Sequence, residues 1–134
     1  MKDTKTLGDL GETIAARYLK RHFYRICARN VSAPHGEIDI VACKADTLVF
    51  VEVKTRTAGR QYQTAAAAVD STKQKHLLSA ARHYLLSHPT KRKIRFDVIE
   101  IYVTQQERDR LLSQKRIGFS RIGKVHHIIN AFSS

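Results

Sequence analysis

Asp39, Glu52 and Lys54 are the residues of this sequence best placed by type and spacing to do chemistry. They lie in two alternating segments, Gly36-Glu37-Ile38-Asp39-Ile40-Val41 and Val49-Phe50-Val51-Glu52-Val53-Lys54. Apolar-polar alternation is the period of a half-buried strand. With a turn at Lys44-Ala45-Asp46-Thr47 and Cys43 opposite Leu48, the segments pair as a β-hairpin. Asp39 then faces Glu52, and Glu37 faces Lys54. Directly opposed side chains have Cβ atoms about 4.5–5.5 Å apart, where like charges repel. A divalent cation relieves that repulsion. Mg²⁺ takes carboxylate oxygens and keeps several waters for a substrate phosphate. A one-residue slip of either arm would turn its charges onto the apolar face, so the alternation itself argues for this register. The plain alternative is a solvated charged face with Glu37–Lys54 as an ordinary cross-strand ion pair.

The rest of the chain must hold this hairpin. Ile38, Ile40 and Ala42 point one way on the first arm, and Val49, Val51 and Val53 share one face of the second. Residues 6–22 are expected to be a helix, with Leu7, Leu10, Ile14, Tyr18 and Leu19 as its core stripe. Gly8 and Gly11 interrupt it and permit close backbone approach. Glu12 falls on the flank of the stripe, where a carboxylate can reach over a sheet edge. Phe23 to Val31 reads as a first strand, ended by the turn-rich Ser32-Ala33-Pro34-His35-Gly36. Residues 57–68 read as a loop leading into a helix, with Arg60 and Tyr62 as its candidate contact groups. A second helix is expected from Ser71 to Leu86, capped by Asp70 or Ser71 and followed by Pro89. Its apolar face is Leu77, Leu78, Ala81, Tyr84 and Leu85. Lys73 and Lys75 stand in its first turn, where the helix dipole disfavours cations and a bound phosphate would reverse the sign. Lys93 to Val103 is expected to be a strand with Asp97 as its one awkward acid. Gln105 to Arg116 reads as a short exposed helix or a loop, and Lys124 to Phe132 as a last strand. In that strand His126 and His127 point to opposite faces. The order predicts one α/β domain over 1–134, a mixed sheet with a helix on each side.

Bulk properties narrow the partners. The chain has 134 residues, 43% apolar and 27% charged, which suits one core. Its formal net charge is +12, and a small protein this basic usually meets a polyanion, most often nucleic acid. Residues 1–56 carry ten Lys/Arg against seven Asp/Glu, while residues 57–134 carry fourteen against five. The acids therefore gather where a cation is expected, and the excess positive charge lies mostly elsewhere. Cys27 and Cys43 form no CxxC motif, and the histidines show no zinc spacing. No apolar run reaches membrane-spanning length and no signal-peptide pattern opens the chain, so a cytoplasmic protein with reduced thiols is expected.

Asp39, a gap, and then Glu52-x-Lys54 resembles the PD-(D/E)xK nuclease superfamily. A fuller set of motifs is similar to the YraN-like family of small bacterial proteins, which look like archaeal Holliday-junction resolvases. That set comprises Gly11-Glu12-x-x-Ala15-x-x-Tyr18-Leu19, the GEIDIV segment from Gly36, the VFVEVKTR segment from Val49, Lys73-Gln74, Arg95-Phe96-Asp97-Val98 and Asn130-Ala131-Phe132. The resemblance implies a restriction-endonuclease-like fold and a metal-dependent endonuclease acting on DNA, including branched DNA. It implies that Asp39 and Glu52 hold Mg²⁺ (Mn²⁺ substituting), with Glu12 adding to the metal site and Lys54 positioning or activating water. The Val53 carbonyl is expected to join the metal ligands. Ile38 stands where the superfamily motif has Pro. Arg56, Arg60, Lys73, Gln74, Lys75 and the cluster Lys91, Arg92 and Lys93 are expected to hold the nucleic-acid backbone without reading sequence. A two-fold homodimer is expected for a junction-binding protein. Two alternatives stay open: a non-catalytic nucleic-acid-binding module on the same scaffold, and an RNA- or ribosome-associated basic protein.

Overall fold

A computed structural model describes residues 2–57, 69–114 and 124–133. Helix α1 (Lys2–Arg21) is followed by strands β1 (Arg25–Ala33), β2 (Gly36–Lys44) and β3 (Thr47–Thr57). Helix α2 (Ser71–Ser87), strand β4 (Lys93–Val103), helix α3 (Gln105–Gln114) and strand β5 (Lys124–Phe132) complete the order. The described strands form one five-stranded sheet in the order β1-β2-β3-β4-β5. Only the central pair β3/β4 is parallel among them, and its connection carries α2. The result is a mixed sheet with helices on both faces, a restriction-endonuclease-like arrangement. Among the described residues no helix is long and apolar enough to cross a membrane.

The alternation of β3 and β4 supplies both cores. Ile40, Ala42, Val49, Val51, Ile99 and Ile101 lie under α1 with Ile14, Ala15, Ala16 and Leu19. Val41, Cys43, Leu48, Phe50 and Phe96 lie under α2 with Ala80, Ala81 and Tyr84. Gly11 lets α1 settle on β3, because a Cβ there would stand 2.1 Å from Thr55 Oγ1. Asp70 caps α2, its Oδ1 accepting the Lys73 N–H at 2.8 Å. At α3 the Thr104 hydroxyl accepts the Glu107 N–H at 3.0 Å, and Glu107 Oε1 accepts the Thr104 N–H at 2.8 Å. That reciprocal pair is a capping box, and T-x-x-E in the sequence marks a helix rather than a loop.

Two expectations change. Phe23 does not begin a strand: it reverses the chain after α1, and β1 starts at Arg25 and runs on to Ala33. Ile38 does not share a face with Ile40 and Ala42; it packs on the α2 side. The cause is a local break in the pleat at Asp39. The expected loop and helix over 57–68, with Arg60 and Tyr62, lie outside the described residues except for the end of β3 at Thr57.

Candidate functional site

The β2/β3 ladder follows the expected register from Lys44↔Thr47 through Cys43↔Leu48 to Ile40↔Val51, and the paired positions end there. The next position on β2 is Asp39. Its Oδ2 accepts the Val53 N–H at 2.8 Å, so a side chain takes a bond that a strand backbone would otherwise make. On the other side of β2, Arg29 pairs with Ile40 and Val31 with Ile38. Asn30 between them has φ 52°. The β1/β2 register is continuous across this position and shifts only between Ile26 and Ala28, yet Ile38 and Ile40 fall in opposite cores, so the alternation breaks at Asp39.

Asp39 lies against Glu52. Burial and then the Glu52 charge push the Asp39 carboxyl up to about 8, against the pull of the Val53 N–H. Glu12, on α1, adds its charge to the same group. Glu12 is itself buried, and burial pushes its carboxyl up despite Arg29. Its Oε1 has no hydrogen-bond partner and lies 3.8 Å from Arg29 Nη2. Three carboxylates thus share one electrostatic neighbourhood with less positive charge than they need. The Lys73 ammonium supplies part of it, 3.1 Å from Glu52 Oε2.

This neighbourhood suits a hard cation in its chemistry: oxygen donors, a coupled acid pair and an orphaned buried Oε1. Among the described residues no three His, Cys, Asp or Glu side chains converge into a ready metal cage. Mg²⁺ does not demand one, since it commonly binds through one or two carboxylates plus waters and substrate phosphate.

Lys54 lies two residues beyond Glu52 and pairs in register with Glu100 of β4. Glu37 is exposed and sits in the β1/β2 ladder opposite Ser32. Arg56 faces inward, its Nε donating to Glu100 Oε2 at 2.6 Å. Gln74 is turned to the chain before α2, its Nε2 donating to the Val69 carbonyl at 3.0 Å. Lys75 is exposed on α2. Lys91, Arg92 and Lys93 lie at the other end of β3, where Lys93 pairs with Thr47. Thr47 is about 17 Å from Glu52 along the strand at 3.3–3.4 Å per residue. The structure thus sets Glu12, Asp39, Glu52, Lys54 and Lys73 around the middle of β3 and the 91–93 cluster at the start of that strand.

Sequence reasoning left two acid networks unassembled. Asp97 is bound by Arg95 through Nε at 2.9 Å and Nη2 at 2.9 Å. His127 Nε2 lies 2.7 Å away and the Asn130 N–H donates at 2.9 Å. Arg95 Nη2 also donates to the Tyr24 hydroxyl at 2.7 Å. Glu100 takes Arg56, the Tyr102 hydroxyl at 2.9 Å and His126 Nδ1 at 3.0 Å. Burial raises both acids, but these partners more than offset it and hold both carboxyls below their ordinary values. Asp97 was visible as an apolar-face acid, and the adjacent histidines as opposite-facing. The signal was the pairing of one His with each buried acid.

The fold is a restriction-endonuclease-like mixed α/β sheet that carries Asp39 on β2 and Glu52 and Lys54 on β3. A family profile for "Uncharacterised protein family UPF0102" matches residues 11–101, and the chain belongs to that family, the YraN-like group of the sequence resemblance. A UPF0102 protein of Chlorobium phaeobacteroides is 43% identical over 133 residues, covering 98% of this chain and 97% of the relative. One from Caldanaerobacter subterraneus is 38% identical over 129 residues, covering 96% and 95%. One from Symbiobacterium thermophilum is 46% identical over 101 residues, covering 73% and 83%.

Proposed function

We propose that the protein is a metal-dependent endonuclease acting on DNA phosphodiester bonds, with branched DNA of the Holliday-junction kind as its preferred class. The observation that carries this reading is the juxtaposition of Asp39 and Glu52, in which burial and the second carboxylate push Asp39 up to about 8. Asp39 and Glu52 would hold Mg²⁺ or Mn²⁺, with the Val53 carbonyl as an added ligand and Glu12 adding its charge to the site. When bound, the cation supplies Lewis acidity at the phosphate and lowers the pKa of its water. Asp39 gives up its proton as the site fills. Lys73, now on Glu52, is freed to meet a phosphate oxygen at the start of α2. Lys54 orients the attacking water, and the net charge of +12 favours a polyanionic substrate.

Purified protein is incubated with a four-way junction, a duplex and a single strand in Mg²⁺, Mn²⁺ or EDTA. Metal-dependent nicking that Lys54→Ala and Asp39→Ala abolish is the expected result. Cleavage that survives both changes refutes the site. A binding module without turnover is the second reading, favoured by the Lys73–Glu52 pair at 3.1 Å, which partly neutralises the site without a cation. It predicts band shifts in EDTA and no cleavage in any metal.

A further inference from the structure

The far end of the sheet carries a different feature, centred on Phe23. The Phe23 N–H donates to Lys20 O at 3.1 Å and the Tyr24 N–H to Leu19 O at 2.9 Å, closing α1. Phe23 has φ 69°, the left-handed conformation in which Gly usually follows a helix and an aromatic residue is strained. It is nonetheless 85% exposed. The ring therefore neither fills the core nor suits its backbone, and folding alone would favour Gly. A strained residue points to a use outside folding.

Its surroundings are basic. Lys20 and Arg21 end α1, and Arg25 opens β1 opposite Cys43. The Lys44 ammonium stands 5.0 Å over the Tyr24 ring. Arg92 Nε donates to Ala45 O at 3.3 Å, and the Lys93 N–H to Asp46 O at 2.8 Å. The acid among them, Asp46, lies 3.7 Å from Lys93 Nζ on the exposed surface. The Cys43 thiol registers this field. Burial raises it, but Arg25, Cys27 and Arg92 more than offset burial and leave it below its ordinary value.

We propose that this end is a binding surface for a single strand of nucleic acid, its phosphates on Arg25, Lys44 and Arg92 and one base stacked on Phe23. Cations alone would accept any polyanion. The exposed ring adds a preference for unpaired bases, whose faces are open to stacking. One ring without an apolar helix face beside it is poor material for a lipid surface. The surface does not depend on cleavage at Asp39 and Glu52, since Glu52 lies five residues along β3 from Thr47, about 17 Å away.

Fluorescence anisotropy in EDTA, where metal-dependent cleavage is off, tests this separately from the nuclease reading. The probes are labelled oligothymidylate, oligouridylate and a blunt duplex, with phosphatidylserine vesicles as the competing anionic surface. Phe23→Gly is expected to raise the melting temperature by relieving the backbone. It should also weaken oligonucleotide binding by about fivefold or more, the effect of losing one stacked base, with duplex binding nearly unchanged. Arg25→Glu with Arg92→Glu should weaken all nucleic-acid binding and flatten its salt dependence. Oligonucleotide binding unaltered by Phe23→Gly overturns the proposal. So does wild-type binding to duplex as tight as to single strands, or vesicle binding in place of oligonucleotide binding. If the oligonucleotides bind as expected while no substrate is cut in Mg²⁺, this surface stands and the nuclease reading falls.

Discussion

Asp97 and Asp39 occupy one sheet and are treated in opposite ways. Asp97 receives a two-pronged guanidinium, a histidine and a backbone N–H, and its carboxyl is held below the ordinary range. Asp39 receives one backbone N–H and a second carboxylate, and is pushed up to about 8. Glu100 follows Asp97, with Arg56, Tyr102 and His126 around it. Glu12 follows Asp39, with an unpartnered buried Oε1. The same fold that surrounds two buried acids with donors leaves Asp39 beside a second carboxylate, with Lys73 on Glu52 and Arg29 near Glu12. The two acids differ in their partners, since burial acts on both and only Asp97 gains enough donors to offset it.

Removing a compensated acid strands its partners, and that gives the largest expected effect. Asp97→Ala leaves Arg95 and His127 without their shared anion and should cost about 3–5 kcal/mol, read by chemical denaturation. Glu100→Gln keeps the shape but removes the charge facing Arg56, with an expected loss of about 1–3 kcal/mol. Gly11→Ala drives a Cβ toward Thr55 Oγ1, 2.1 Å away, and should destabilise by about 1–3 kcal/mol while shifting Glu12 off the acid cluster. Adding Thr55→Ala should restore most of that loss.

The pH dependence of Asp39 has the opposite sign. Asp39 binds its proton more tightly in the folded chain than in the unfolded one, so its contribution is full below about 4 and is lost as pH rises through about 8. Metal-free protein should therefore melt at falling temperature from pH 5 to pH 8. Asp39→Asn should flatten that slope and raise the melting temperature at pH 8. Asp97 and Glu100, with lowered carboxyls, contribute stability that is present at neutral pH and lost on acidification. Acid unfolding should thus survive Asp39→Asn unchanged.

Much of this was legible in the chain because alternation is a local signal. The hairpin register, Lys93–Val103, Lys124–Phe132 and the opposite-facing His126 and His127 all follow from a period of two. The break at Asp39 was not, because a carboxylate replacing a ladder bond leaves no trace in hydrophobicity. The Asp97 network joins Tyr24, Arg95 and His127 from three strand regions, and no spacing reports that meeting. The 91–93 cluster was expected to hold a nucleic-acid backbone, and its place relative to the acids was not legible. The parallel register that sets Lys93 against Thr47 puts it at the start of β3, and parallel register is fixed by a crossover rather than by local sequence. Phe23 read as a strand residue because an aromatic in the left-handed region is what propensity argues against.

Calorimetric titration of Mg²⁺ at pH 7, repeated in buffers of different protonation enthalpy, tests the acid pair most directly. If Asp39 is held near 8 until a cation arrives, binding must expel about one proton, and the measured heat must change with buffer. Asp39→Asn should abolish that proton release. Binding with no proton release, or no binding at all by the wild-type protein, would contradict a cation site at Asp39 and Glu52.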